Sequence, residues 1–341
     1  MARGDFQGNL LKRVSRSFYL SLAVLPRPVR APVGLAYLFA RAADTIADTR
    51  LISREERLSH LEAFRAELRD EVPSRLREII TACTGPNPHA GERELLARLP
   101  DCFARYRELD KADREGVRAL LLTITEGMIW DLKTFPGEDE GRLAALESRE
   151  ELDRYTYYVA GCVGEFWTEM HAAHRPRLAE WNLGAMKQKG VSFGKGLQMT
   201  NVLRDLARDL RIGRCYLPRT ELARLSLEPA DLLDPAAFLK VRPLIRELLA
   251  LTLEHYRAGW DYTLAIPRAE WRMRLACGWP LLIGLRTLGL LAESPNLLDP
   301  RRPLKVPRSM VYAILARSLV LVWSDASLAA EARRLRARIP L

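Results

Sequence analysis

Residues 194–218, GKGLQMTNVLRDLARDLRIGRCYLP, carry two aspartates, Asp205 and Asp209, four positions apart. Leu197, Leu203, Leu206 and Leu210 surround them, so the run reads as a helix with both carboxylates on one face. Gln198 and Asn201 lie on roughly the same face one and two turns earlier, completing a stripe of amide and carboxylate oxygens. Two like charges at this spacing cost an isolated helix about 0.2–0.5 kcal/mol, and more where they lose water. A structural helix normally places Lys or Arg at one of the two positions. The stripe therefore calls for a positive partner, and oxygen-only ligands suit a hard cation such as magnesium. A blander reading stays open: Arg204 and Arg208 interleave with the aspartates and would lace a solvated face with ion pairs. Gly213 supplies a helix stop just beyond.

A second acidic pair sits in a different setting. Asp44 and Asp48 end VGLAYLFARAADTIADT, residues 33–49, in which Arg41 is the only charge before Asp44. A helix apolar nearly all round is a buried one, here expected to start at Pro32. Tyr37, Arg41, Asp44 and Asp48 fall at i, i+4, i+7 and i+11, a continuous stripe. Buried carboxylates are expensive unless paired or bound to metal. Arg41 offers a partner to Asp44 only. Two acidic helices then suggest the walls of a cavity that holds a magnesium cluster and a diphosphate, because magnesium takes one or two carboxylates plus substrate phosphates.

Five segments carry a family resemblance: SRSF (15–18), RAADTIADT (41–49), YVAG (158–161), NVLRDLARD (201–209) and RIGRCYLP (211–218). In this order they resemble the squalene and phytoene synthases, the head-to-head prenyltransferases, and the wording is nearest the bacterial squalene synthases. The resemblance implies the all-α isoprenoid-synthase fold, a helical bundle around a central cavity. It implies that two farnesyl diphosphates condense to presqualene diphosphate and that NADPH then reduces the product to squalene. Asp44, Asp48, Asp205 and Asp209 match the metal-binding acids. Ser15, Arg16, Phe18, Tyr37, Arg41, Gln198, Asn201 and Arg204 match substrate-binding positions, and Tyr158 matches a catalytic one that handles a proton or steadies a carbocation. Lys305 and Arg308 in PLKVPRS resemble a stretch that contacts the NADPH phosphate, although Pro307 looks inserted there.

Composition narrows the alternatives. With 53 Lys and Arg against 43 Asp and Glu the formal charge is +10, which admits nucleic acid, an anionic membrane or an anionic substrate. No basic run with interleaved aromatics supports nucleic acid. The five cysteines, at 83, 102, 162, 215 and 277, lack any CxxC, the pattern of a reducing cytosol. MARGDFQGNLLKRVS has no apolar core of a signal peptide, and the apolar run 310–323 contains Arg317 and is too short to span a bilayer. A cytoplasmic monomer is expected, with the basic end RRLRAR (333–338) either touching anionic membrane at the periphery or simply solvated.

The rest of the chain reads as helix throughout, at 9–25, 53–71, 91–109, 111–134, 148–173, 240–265, 268–292 and 308–338, with no repeat and no sustained alternation. One all-α domain, 1–341, is expected. Ser53 and Glu56 form a capping-box pair. Gly161 and Gly164 inside a helix point to close packing or close approach of substrate. Tyr155 and Tyr158 share a face above Cys162 and Glu165, while His171 and His174 near Glu169 are a weaker zinc possibility. Carbocation chemistry needs an apolar lining beside the diphosphate clamp, and the helices that carry the acids supply it. Dehydrosqualene or phytoene synthesis without reduction, a magnesium-dependent diphosphate hydrolase and a non-catalytic prenyl-diphosphate-binding protein are the alternatives.

Overall fold

A computed structural model describes residues 6–14, 19–71, 74–85 and 90–340. They are almost wholly helical and gather into two compact units. The first takes the chain up to Leu132 together with Phe166–Ala179, and the second takes Lys133–Glu165 and Glu180 onward.

The first unit holds α1 (Phe6–Val14), α2 (Tyr19–Ala23), α3 (Arg27–Asp48), α4 (Arg54–Leu68), α5 (Leu76–Cys83), α6 (Ala90–Ala97), α7 (Leu99–Arg107) and most of α8 (Lys111–Thr134). α3 starts earlier than expected, at Arg27 behind Pro26, and Pro32 lies inside it. Pro32 lies past the first turn and has no N–H to give to the carbonyl four residues back, so one helical bond is forgone there. α4 opens with the expected capping box: Glu56 N donates to Ser53 Oγ at 3.2 Å and Ser53 N to Glu56 Oε2 at 2.8 Å. The helix expected over 91–109 is two, because Pro100 lies in the first turn of α7 and cannot continue α6. Phe39 of α3 is the centre of the core, with ring centroids 4.7 Å from Phe103, 5.8 Å from Tyr106 and 6.1 Å from Phe64. Tilted and edge-on pairs of this kind add about 0.5–1.5 kcal/mol each beyond their burial. Arg57, itself buried, donates to the Ala47 carbonyl at 3.2 Å and pins the end of α3.

The second unit is organised by α11 (Leu183–Arg211). Before it come α9 (Arg149–Thr156), a π-helical turn (Tyr157–Gly161) and the start of α10 (Cys162–His174). The single helix expected over 148–173 is thus interrupted by one wide turn. α11 crosses this segment with almost no space: a Cβ on Gly164 would lie 1.9 Å from the Gly190 carbonyl oxygen, and one on Gly194 would lie 2.1 Å from that of Ala160. Close packing is what these glycines serve. Beyond α11, Gly213 adopts φ +83° and donates to the Leu210 carbonyl at 3.1 Å, ending the helix as expected. The chain then forms β2 (Arg214–Cys215), which pairs in parallel with β1 (Ala144–Ala145), the one strand pairing among the described residues.

α12 (Arg219–Arg224), α13 (Phe238–Ala265), α14 (Trp271–Glu293), α15 (Arg308–Leu321) and α16 (Asp325–Arg336) complete this unit. α13 packs along α11, and Tyr256 joins them through a 2.9 Å hydroxyl contact to Thr200. Arg268–Glu293 is long and apolar enough to cross a membrane by composition, yet 67% of its most apolar window is buried in the protein, as in a core helix. The final helix expected over 308–338 is two. Ser324 leaves helical geometry and its side chain accepts from Ser327 N, capping α16.

Candidate active site

On α3 the burial pattern picks out the acidic stripe. Val33, Leu35, Ala36, Leu38, Phe39, Ala42, Ala43, Ile46 and Ala47 are buried, whereas Tyr37, Arg41 and Asp44 are half-buried and Asp48 is exposed. The helix is sunk in its unit except along the strip that carries the charges. The expectation of buried carboxylates needs correcting, since both acids keep access to water. Arg41 also has more than the single partner expected. It pairs with Asp44 and, at 2.5 Å, with Glu92 of α6.

On α11 the acids are deeper. Asp205 retains 23% of its side-chain exposure and Asp209 only 11%. Arg204 grips Asp205 with two bonds of 3.0 and 2.6 Å, and Arg208 donates to Asp209 at 3.1 and 3.3 Å. The interleaved arginines therefore make ion pairs, as the blander reading anticipated, but the aspartates are not a solvated face. Burial pushes the Asp209 carboxyl up to about 6, against the pull of Arg208 and with the help of Asp205. The arginines compensate its charge only in part.

Both pairs share an unfavourable location. Asp44 and Asp48 close α3, and Asp205 and Asp209 fall in the last two turns of α11. Helix C-termini present unpaired carbonyls and the negative end of the macrodipole, where carboxylates are disfavoured and cations favoured. Among the described residues no three acidic, His or Cys side chains converge as a ready cage. Magnesium does not require one, being held by one or two carboxylates with phosphates and waters. The all-oxygen donors, the under-compensated Asp209 and the two helix ends fit a hard cation at each pair.

The amide part of the stripe is assembled as expected. Asn201 Nδ2 donates to Gln198 Oε1 at 3.1 Å, and Gln198 Nε2 donates to the Tyr155 hydroxyl at 3.2 Å. Tyr155 stacks on Tyr216 with centroids 4.4 Å apart. The face expected to hold Tyr155 and Tyr158 above Cys162 and Glu165 includes Tyr157 as well. The π turn adds a residue and shifts the register, so that Tyr157 donates to Glu165 Oε2 at 2.7 Å. Burial, with that bond, raises the Tyr157 hydroxyl above its ordinary value. Tyr158 is half-buried on the same turn, its ring 6.1 Å from that of Tyr157.

Ser15, Arg16 and Phe18 lie outside the described residues. Lys305 and Arg308 are exposed at the entry to α15, two cations whose charge suits a phosphate. Arg211 donates to the Ala207 carbonyl at 2.7 Å, complementing its own helix end. The two histidines have structural partners: His171 Nδ1 lies 2.8 Å from the Trp167 carbonyl oxygen, and His174 Nε2 lies 2.8 Å from Asp113 Oδ1. Glu92 and Tyr157 carry no motif, and neither was a candidate on sequence.

Comparison with known proteins resolves what this arrangement belongs to. A family model described as squalene/phytoene synthase matches residues 11–309. The chain belongs to the squalene/phytoene synthase family. This is a family of prenyl-transferring enzymes. The chain is 29% identical over 290 residues to the Botryococcus squalene synthase of Botryococcus braunii, covering 84% of this chain and 57% of that protein. It is 31% identical over 262 residues to the presqualene diphosphate synthase of Zymomonas mobilis, covering 75% and 74%. The structure of TcSQS with the ligand E5700 superposes with a TM-score of 0.77 at 25% identity, over 98% of this chain and 91% of that one. A dehydrosqualene synthase shares the fold at 19% identity and a TM-score of 0.61, covering 92% and 94%. The chain spans 57% to 66% of the length of the Botryococcus protein and of the squalene synthase of Cyberlindnera jadinii.

Proposed function

We propose that this chain condenses two farnesyl diphosphates head to head, through presqualene diphosphate, and reduces the product to squalene with NADPH. The observation that carries this reading is the pair of Asp-x-x-x-Asp stripes, each at a helix C-terminus that disfavours bare carboxylates. Relatives named squalene synthase and presqualene diphosphate synthase support it.

Asp44, Asp48, Asp205 and Asp209 would hold magnesium, whose charge stabilises the departing diphosphate. Arg41, Arg204 and Arg208, which pair with these carboxylates, would offer guanidinium groups to diphosphate oxygens. Arg16, with Ser15 and Phe18, has its assignment from the family motif. Gln198 and Asn201 hold each other and Tyr155 in place beside the acids. Tyr37 and Tyr158 offer ring faces and hydroxyls where positive charge develops on carbon. Lys305 and Arg308 would take the phosphate of NADPH.

A second reading has one observation behind it. The relative from Zymomonas mobilis, matched over about three quarters of both chains, is named for presqualene diphosphate alone. The chain would then stop at the cyclopropyl diphosphate. Incubation of the purified protein with farnesyl diphosphate and magnesium, with and without NADPH, followed by mass spectrometry, decides between them. Squalene formed only with NADPH supports the full reaction. Presqualene diphosphate or dehydrosqualene, unchanged by NADPH, replaces it, and no consumption of farnesyl or geranylgeranyl diphosphate overturns both.

A further inference from the structure

α15 is the least buried apolar helix of the second unit. It buries one stripe, Ile314, Ser318 and, just past its end, Val322, with Trp279 donating to Ser318 Oγ at 2.7 Å. Its other side carries Tyr312, Ala316, Leu319, Val320 and then Trp323, at i, i+4, i+7, i+8 and i+11. A solvated face would carry Lys, Glu or Gln at such places. Here Tyr312 is 64% exposed, Val320 75% and Trp323 54%. The stripe runs about 16 Å along the helix, and water meets it without polar relief. Trp323 is nevertheless held in place, its ring 5.7 Å from Trp271, over which the Arg272 guanidinium lies at 5.1 Å.

Charge around the stripe has one sign. Residues 299–341 contain nine Lys and Arg against three Asp and Glu. All three acids are engaged: Asp299 with Arg301 and Arg302, Asp325 with Arg268 and Arg274, and Glu331 with Arg317 and Arg334. Arg333, Arg336 and Arg338 stand exposed on and beyond α16, the helix packed against α15. Apolar and aromatic side chains on one helix face beside uncompensated arginines are the two signals that together hold a protein at a lipid surface. A second copy fits less well, since isologous pairing would set basic margin against basic margin.

From this complementarity we infer that the exposed α15 stripe, with Arg333, Arg336 and Arg338 beside it, docks this chain on an anionic lipid surface. Tyr312, Leu319, Val320 and Trp323 enter the headgroup boundary and the arginines meet lipid phosphates. The inference stands apart from the reaction, because none of these residues belongs to the acidic stripes.

The test is flotation of the full chain with phosphatidylcholine vesicles, with and without about 30 mol % phosphatidylglycerol. The wild type should float with the anionic vesicles and lose most binding in their absence. Val320→Glu with Trp323→Glu should weaken binding about tenfold or more, and Arg333→Gln with Arg336→Gln about tenfold. These positions are exposed, so far-ultraviolet circular dichroism and consumption of farnesyl diphosphate in solution should not change. Brominated lipid should quench more fluorescence in the wild type than in Trp323→Phe. A wild type that stays with the soluble fraction, or glutamate variants that float as well, would overturn the inference. So would sedimentation showing a dimer that Val320→Glu dissociates, which would assign the stripe to a second copy.

Discussion

The C-terminal ends of α3 and α11 carry the same Asp-x-x-x-Asp spacing and solve the same electrostatic problem differently. At the end of α3 the carboxylates stand open to water, and one arginine, Arg41, is divided between Asp44 and Glu92. At the end of α11 the carboxylates are sunk, Arg204 grips Asp205, Arg208 serves Asp209 and reaches Asp205 as well, and burial still pushes Asp209 up to about 6. Spacing states that two acids share a face, whereas depth decides what each costs when charged. The sunk pair couples its charge to folding.

If both ends hold magnesium, removing one carboxylate from either should have the largest effect. Asp48→Asn and Asp205→Asn are each expected to lower turnover of farnesyl diphosphate by about a thousandfold or more, with circular dichroism intact. Near-normal turnover in one variant only would break the equivalence of the two ends and leave a single metal-holding helix.

The pH dependence of folding should separate the ends next. The folded-state value of Asp209 lies above its unfolded value of 3.8, so the folded chain binds the proton more tightly. Its contribution to stability is therefore present below about pH 4 and is lost as pH rises through about 6. In urea unfolding with chelator, Asp209→Asn should be more stable than the wild type at pH 7.5 by on the order of 2 kcal/mol, and nearly equal at pH 4. An Asp209→Asn chain with an unchanged slope would remove the distinction between sunk and open pairs. Arg208→Gln should carry the loss on to higher pH, because Arg208 helps to hold the Asp209 proton affinity down.

Which parts of this were legible in the sequence follows from how local each cause is. The stripe on α3, the capping box at Ser53, the stop at Gly213 and the contact of Asn201 with Gln198 depend on residues within a few turns, and the structure has them; the bond from Gln198 to Tyr155 spans 43 positions and was not legible. The all-α fold and the family were carried by motifs. The π turn was not legible. It lies where Gly164 meets Gly190 and Gly194 meets Ala160, a contact between two segments that no local spacing rule connects, and Tyr157 there donates to Glu165. The break between α15 and α16 was signalled by Ser324 and Asp325, an N-cap pair that the expectation of one helix over 308–338 passed over. Glu92 was invisible for the same reason as the π turn: no spacing rule links it to Arg41, 51 positions away.

Glu92 also gives the smallest effect that still bears on the comparison. Its side chain is 13% exposed and holds one arm of Arg41 away from Asp44. Glu92→Gln removes that competition, at a cost of about 1 kcal/mol in stability for the lost part-buried pair. Arg41 then turns wholly to Asp44 and makes the open end resemble the sunk one, where Arg204 grips Asp205 with two bonds. Magnesium must displace a fuller ion pair, so the concentration for half-maximal turnover should rise about threefold, roughly the loss expected from one shared charge-assisted bond. Turnover at saturating magnesium should change little. A magnesium requirement identical to the wild type would mean that Glu92 only ties α6 to α3, and that the openness of the Asp44 end owes nothing to how Arg41 is shared.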